Sequence, residues 1–196
     1  MNAITRLRLG AGLALVGLLL ASGLEVASDR AMAAPAETEV KLDTVKFDVM
    51  IKRIASKQAK LTVVDAWATW CGPCKENFPH LVEMNKKYGG KEINFASICL
   101  DDPTKPKKVT EALDFLKGAK AEFTNYLLDE SQDDAFEKLD ISAIPAVFMF
   151  GPDGKEIRRF TLEDVNNQFT YDQVETAVKE FLDGKPMTTG VAPKRK

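Results

Sequence analysis

Leu61-Thr62-Val63-Val64-Asp65-Ala66-Trp67-Ala68-Thr69-Trp70-Cys71-Gly72-Pro73-Cys74 is the stretch from which the rest of the chain is read. Residues 61–67 form a short apolar, β-branched run of strand length. After Cys74, the spacing of Phe78, Leu81, Val82, Met84 and Tyr88 suits one face of a helix that stops at Gly89-Gly90. Two cysteines three positions apart therefore sit where a strand turns into a helix. The first sulfur lies at the helix N-terminus, where unpaired amides and the helix dipole favour thiolate over thiol, which makes Cys71 the nucleophile. Cys74, one turn on and on the same side, can attack a mixed disulfide formed by Cys71 and so acts as the resolving thiol.

Working outward, residues 93–100 read as a second buried strand, preceded near Val45, Val49 and residues 51–54 by a first helix. The pattern continues with a helix around 109–116, a strand near 126–128, a helix around 135–139 and a strand at 146–150. Gly151-Pro152-Asp153-Gly154 is a turn signal that joins the last of these to residues 155–160 as an antiparallel hairpin. A final helix spans about 171–182. Alternating strands and helices imply an α/β domain whose mainly parallel sheet is covered on both faces, with the hairpin at one edge.

The 196 residues are 45% apolar and 29% charged, a balance that fits one α/β domain able to bury its own core. A formal charge of −2 argues against nucleic-acid binding. Three cysteines are too few for a disulfide-stapled scaffold, and the spacing of two of them belongs to redox or metal chemistry.

Arg6 and Arg8 precede an uncharged stretch at 9–24 and the small-residue site Ala31-Met32-Ala33, so residues 1–33 read as a secretory signal peptide. The alternative is an uncleaved anchor, since the apolar stretch falls only slightly short of the ~18 residues at which a membrane span is expected. Either reading places the rest in the periplasm or another extracytoplasmic compartment, where disulfide chemistry has substrates. Residues 34–43 read as a linker, 44–183 as the folded domain and 184–196 as a flexible tail.

Residues 64–75, with Pro79 five positions beyond Cys74, resemble the active-site segment of the thioredoxin superfamily. The resemblance extends to Ile144-Pro145, where that family keeps a cis-proline opposite the cysteines, and to the Pro152-Asp153-Gly154 turn. Between Cys74 and Pro145 the chain is longer than thioredoxin by about 30 residues, room for an extra strand and helix in a chain of this length. With the export signal, this insertion resembles the TlpA/ResA-like branch of exported thiol-disulfide oxidoreductases, over residues 44–183. The implied fold is a central mixed sheet flanked by helices, with a strand-helix insertion between the CxxC helix and the cis-proline.

Further site residues follow. Asp65, on the central strand behind the cysteines, matches thioredoxin's buried acid; facing an apolar core its pKa would rise, letting it take a proton from Cys74 near neutral pH. The plainer reading is a strand-end aspartate facing water. A cis bond before Pro145 would turn the Ile144 backbone toward the cysteines and offer a peptide substrate backbone hydrogen bonds; the plainer alternative is a trans proline opening an edge strand. Trp70 is expected to present a flat apolar surface to partners, while Trp67 is expected in the core, and Pro79 is expected to kink the helix after the cysteines.

Cys99 ends an apolar run and reads as a small buried residue, and His80, the only histidine, as a surface residue. Cys71, Cys74, Cys99 and His80 do not suit one tetrahedron, so no metal site and no cofactor are expected. The expected activity is reduction of disulfides in exported proteins through a Cys71/Cys74 dithiol. Gly-Pro between the cysteines, the thioredoxin choice, suggests a potential nearer about −270 mV than the about −120 mV of a strong oxidant. The branch resemblance implies protein thiol and disulfide substrates, cytochrome c maturation among them, and a membrane protein as electron donor. A monomer is expected, as no heptads or exposed apolar stripe are visible. Two other functions compete. A thiol peroxidase would need a Pro-x-x-x-Thr segment before its reactive cysteine, which Cys71 lacks. A binding or assembly module would use the groove beside Pro145 without turnover.

Overall fold

The computed structural model describes residues 39–193 apart from 57, 91, 165 and 167. The expected signal or anchor at 1–33 lies outside the described residues. The elements run β1 (Asp43–Val45), α1 (Phe47–Ala55), β2 (Leu61–Trp67), α2 (Gly72–Tyr88), β3 (Ile93–Cys99), α3 (Pro106–Gly118), β4 (Thr124–Leu128), α4 (Gln132–Leu139), β5 (Ala146–Phe150), β6 (Glu156–Phe160) and α5 (Tyr171–Leu182). The six strands form one mixed sheet in the order β1-β4-β3-β2-β5-β6. The first four are mutually parallel, whereas β5 runs antiparallel to both β2 and β6. The expected edge hairpin and the strand-helix insertion, β4 with the helix before it, are both present.

β2 is central and buried along its whole length, as its β-branched sequence requires of a strand covered on two faces. The connections from β2 through α2 to β3 and from β3 through α3 to β4 step the same way across the sheet, so right-handed crossovers put α2 and α3 on one face. Ring contacts bear this out: Trp67 of β2 meets Phe78 of α2 and Phe115 of α3, with centroids 5.4 and 4.7 Å apart. α5 packs beside α2 on this face, where His80 stacks on Tyr171. The step from β1 to β2 runs the opposite way, which places α1 on the other face.

Three boundaries differ from the sequence reading. Val45 was expected in the first helix but belongs to β1, a three-residue edge strand paired with β4, too short to leave a periodic signal. Val40 and Leu42, within the expected linker, pack against the core. Residues 184–191 were expected to be loose, yet Val191 exchanges two backbone hydrogen bonds with Arg159 of β6, and Thr189 donates to the Gln173 carbonyl of α5. A polar composition does not reveal such pairing with an open sheet edge.

The hairpin turn depends on Gly154, whose φ is +74°. A Cβ there would lie 2.9 Å from the Ala55 side chain of α1, so glycine meets both a conformational and a packing requirement.

Candidate active site

Cys71 is the N-cap of α2, and Pro73 stands in the helix's first turn, where a missing N–H costs nothing. Cys71 and Cys74 form a disulfide, and the Cys74 N–H points at Cys71 Sγ across 3.2 Å. That amide is one of the unpaired donors of the first helical turn, aimed where a Cys71 thiolate would carry its charge. Cys74 is fully buried, and Cys71 nearly so.

The loop that delivers Cys71 is anchored by Asp101, at the C-terminal end of β3. This buried carboxylate accepts hydrogen bonds from the Thr69 N–H and the Thr69 hydroxyl, each 2.8 Å long, and from the Cys99 thiol at 3.1 Å. From the sequence, Asp101-Asp102 is expected to be a solvated loop end; the structure instead buries Asp101, because the Thr69 N–H and hydroxyl satisfy its carboxylate. Cys99 is buried as expected. Burial, and then the negative charge of Asp101, push its thiol well above its ordinary range, so it stays protonated.

The Ile144-Pro145 bond is cis, and the Ile144 carbonyl oxygen lies 3.7 Å from Cys71 Sγ. In the disulfide this sulfur carries no proton, so the approach is a contact and not a hydrogen bond. Trp70, half exposed, stands beside Cys71 on the surface, whereas Trp67 is buried and donates its indole N–H to Ser97. A groove of about 400 Å³ runs from Pro73 and Pro145 past Asn77 and His80 to Phe169 and Tyr171. His80 is exposed, as expected, but its ring stacks on Tyr171 with centroids 5.7 Å apart. Pro79 lies inside α2, which continues through it to Tyr88.

Asp65 sits at the middle of β2 and is 1% exposed, not the water-facing aspartate of the plainer reading. Its Oδ2 accepts a 2.7 Å hydrogen bond from the Tyr171 hydroxyl, and Oδ1 has no partner among the described residues. Burial raises its pKa to about 7, against a smaller lowering by the Tyr171 hydroxyl. Tyr171 itself is raised well above the usual phenol range, by burial first and then by the Asp65 charge, so it stays a donor. The sequence reading missed Tyr171. The available signal was a large aromatic at the start of an amphipathic helix, whose hydroxyl needs a partner once buried.

The structure thus brings Cys71, Cys74, Ile144, Pro145 and Trp70 to one end of the sheet, with Asp65 buried in the layer between β2 and α2. Among the described residues, no group of three or more His, Cys, Asp or Glu side chains is arranged to hold a metal ion, and no helix is long and apolar enough to cross a membrane.

Comparison with known proteins agrees with this geometry. The chain is 23% identical over 108 residues to the thiol-disulfide oxidoreductase ResA of Bacillus subtilis, covering 55% of this chain and 56% of ResA. It is 53% identical over 63 residues to a thioredoxin of Staphylococcus saprophyticus, covering 32% of this chain and 54% of that protein. The chain spans about half the length of these relatives. A crystal structure of a hypothetical protein from Sinorhizobium meliloti superposes with a TM-score of 0.55 at 18% identity, covering 72% of this chain and 79% of the other, and supports the fold. The Redoxin family profile matches residues 31–178. With that match across most of its length and a thioredoxin-type CxxC helix opposite a cis-proline, the chain belongs to the Redoxin family, as a TlpA/ResA-like member of the thioredoxin superfamily.

Proposed function

We propose that this protein is a thiol-disulfide oxidoreductase that reduces disulfides in exported proteins outside the cytoplasm. The observation that carries the reading is the Cys71–Cys74 disulfide at the N-terminus of α2, with the buried carboxyl of Asp65 behind it. In the reduced protein, Cys71 thiolate attacks a substrate disulfide, forms a mixed disulfide and expels one substrate thiolate. Cys74 gives its proton to the Asp65 carboxylate. The Cys74 thiolate then attacks Cys71 Sγ, closing the intramolecular disulfide and expelling the second substrate thiolate. The substrate gains two electrons and, on protonation, two protons, while the dithiol loses them.

Pro145 lines the docking groove, the Ile144 backbone beside Cys71 is placed to meet an extended substrate segment, and Trp70 offers it an apolar surface. The similarity to ResA, a thiol-disulfide oxidoreductase, supports the reaction class. The N-terminal pattern at 1–33 supports export, free or anchored, and the absence of heptads in the sequence supports a monomer. A membrane protein carrying reducing equivalents outward would regenerate the dithiol, and cytochrome c maturation is one process that needs such a reductase.

The test is the reduction potential of the Cys71/Cys74 couple, by equilibration against glutathione or dithiothreitol buffers with thiol trapping. A value below about −220 mV supports the reductase. One above about −150 mV makes the protein an oxidant or isomerase, and failure to form the disulfide at any poise leaves only a binding module.

A further inference from the structure

Asp65 is held in an unusual way. Its carboxyl is buried on the face of β2 covered by α2 and α5, and its one hydrogen bond among the described residues comes from Tyr171, 106 residues away. Tyr171 is the first residue of α5. That helix start is secured by Thr170, whose N–H donates to the Gln173 side chain at 3.0 Å. The ring is packed against His80 of α2 and Phe169, each with centroids 5.7 Å away. The hydroxyl is thus fixed by a helix terminus and two ring contacts before it reaches the carboxyl.

We propose that Tyr171 is a positioning residue: its hydroxyl pins Oδ2 of Asp65 and leaves Oδ1 as the oxygen that takes the Cys74 proton. This rests on the reading of Asp65 as the base of the reaction. A carboxylate with no donor could rotate about its side-chain torsions and would find less support for its charge. With one oxygen occupied by a neutral donor that stays protonated, the carboxylate is stabilised and its other oxygen is free. Tyr171 of α5 reaches Asp65 from the helical layer, the uncharged Ser97 of β3 and Val147 of β5 stand opposite it in the sheet, and Cys74 is buried on α2, which covers the same face. Behind Tyr171 stand His80, Glu83, Lys87, Asp172 and Glu175 along the outer surface of α2 and α5. Lys87 and Glu175 pair with each other at 2.8 Å. The buried influences on Asp65 are therefore its desolvation and this hydroxyl.

The experiment compares the full chain with Tyr171→Phe and Asp65→Asn. Phenylalanine keeps the ring and its packing and removes only the hydroxyl. Two readouts are made on each protein: the pH dependence of the Asp65 carboxyl infrared band in the oxidised form, and the pH profile of mixed-disulfide resolution by Cys74. In Tyr171→Phe both are expected to move upward by about one to two pH units, the size of a lost hydrogen bond to a charged group. In Asp65→Asn the band disappears and the pH dependence of resolution near neutrality is lost. If both readouts of Tyr171→Phe coincide with the parent while Asp65→Asn behaves as stated, Tyr171 is only packing and the proposal is overturned. If Asp65→Asn leaves the resolution profile unchanged, the base reading itself fails and takes the proposal with it. The infrared titration needs no turnover, so a variant with impaired substrate docking still decides the matter.

Discussion

Replacing Asp65 with asparagine is expected to stabilise the oxidised protein at neutral and alkaline pH and to leave it nearly unchanged in acid. The carboxyl is fully buried, one oxygen has no partner among the described residues, and its pKa is raised from 3.8 to about 7. In the unfolded chain it ionises near its ordinary value, whereas the folded protein keeps it protonated across the interval. The folded state therefore binds more protons than the unfolded state between about pH 4 and 7, and stability falls as pH rises through that window. At about 1.4 kcal/mol per pH unit, the difference amounts to roughly 4 kcal/mol of stability by pH 8. Asparagine resembles the protonated acid in shape and can accept the Tyr171 hydrogen bond, so the two proteins should agree near pH 4. Urea unfolding of both oxidised proteins at pH 4, 5, 6, 7 and 8 measures the gap. A constant difference across the series, within about 1 kcal/mol, would refute the argument that burial governs this carboxyl.

Two further substitutions probe the scaffold. Arg159, buried in β6, donates to both carboxylate oxygens of Glu156 at 2.6 and 2.7 Å and to the Asp140 carbonyl at 2.9 Å. Arg159→Met should cost about 3 kcal/mol in urea unfolding, the low end for a broken buried pair, because Glu156 and Asp140 retain some access to water. Gly154→Ala forces a residue with a Cβ into a φ of +74° and against Ala55. It should cost about 1–3 kcal/mol by the same measurement, with the thiol-disulfide potential unchanged.

How far the sequence could be read depends on the range of the information. The strand at 61–67, the turn at Cys71 and the helix after it were legible because each is written in consecutive residues: a β-branched run, a helix-capping position and an apolar spacing of three and four. The hairpin at 146–160 was legible for the same reason, through its Gly-Pro-Asp-Gly turn. The edge strand at Asp43–Val45 and the pairing of Val191 with Arg159 were not. Short strands at a sheet edge are stabilised by partners distant in sequence, and three residues carry no period.

The candidate site divides in the same way. The two thiols, the order of action proposed for them and the proline opposite them came from local spacing and from the resemblance those residues carry. What only the folded chain decides is the environment of Asp65. Whether that carboxylate faces water or core depends on which helices close over β2, and α5, which supplies Tyr171, begins 106 residues later. Residue types set the chemistry available at the cysteines, because covalent reactivity resides in the side chains themselves. Tertiary packing set the proton affinity beside them, because desolvation and a single hydrogen bond are properties of neighbours that linear order does not specify.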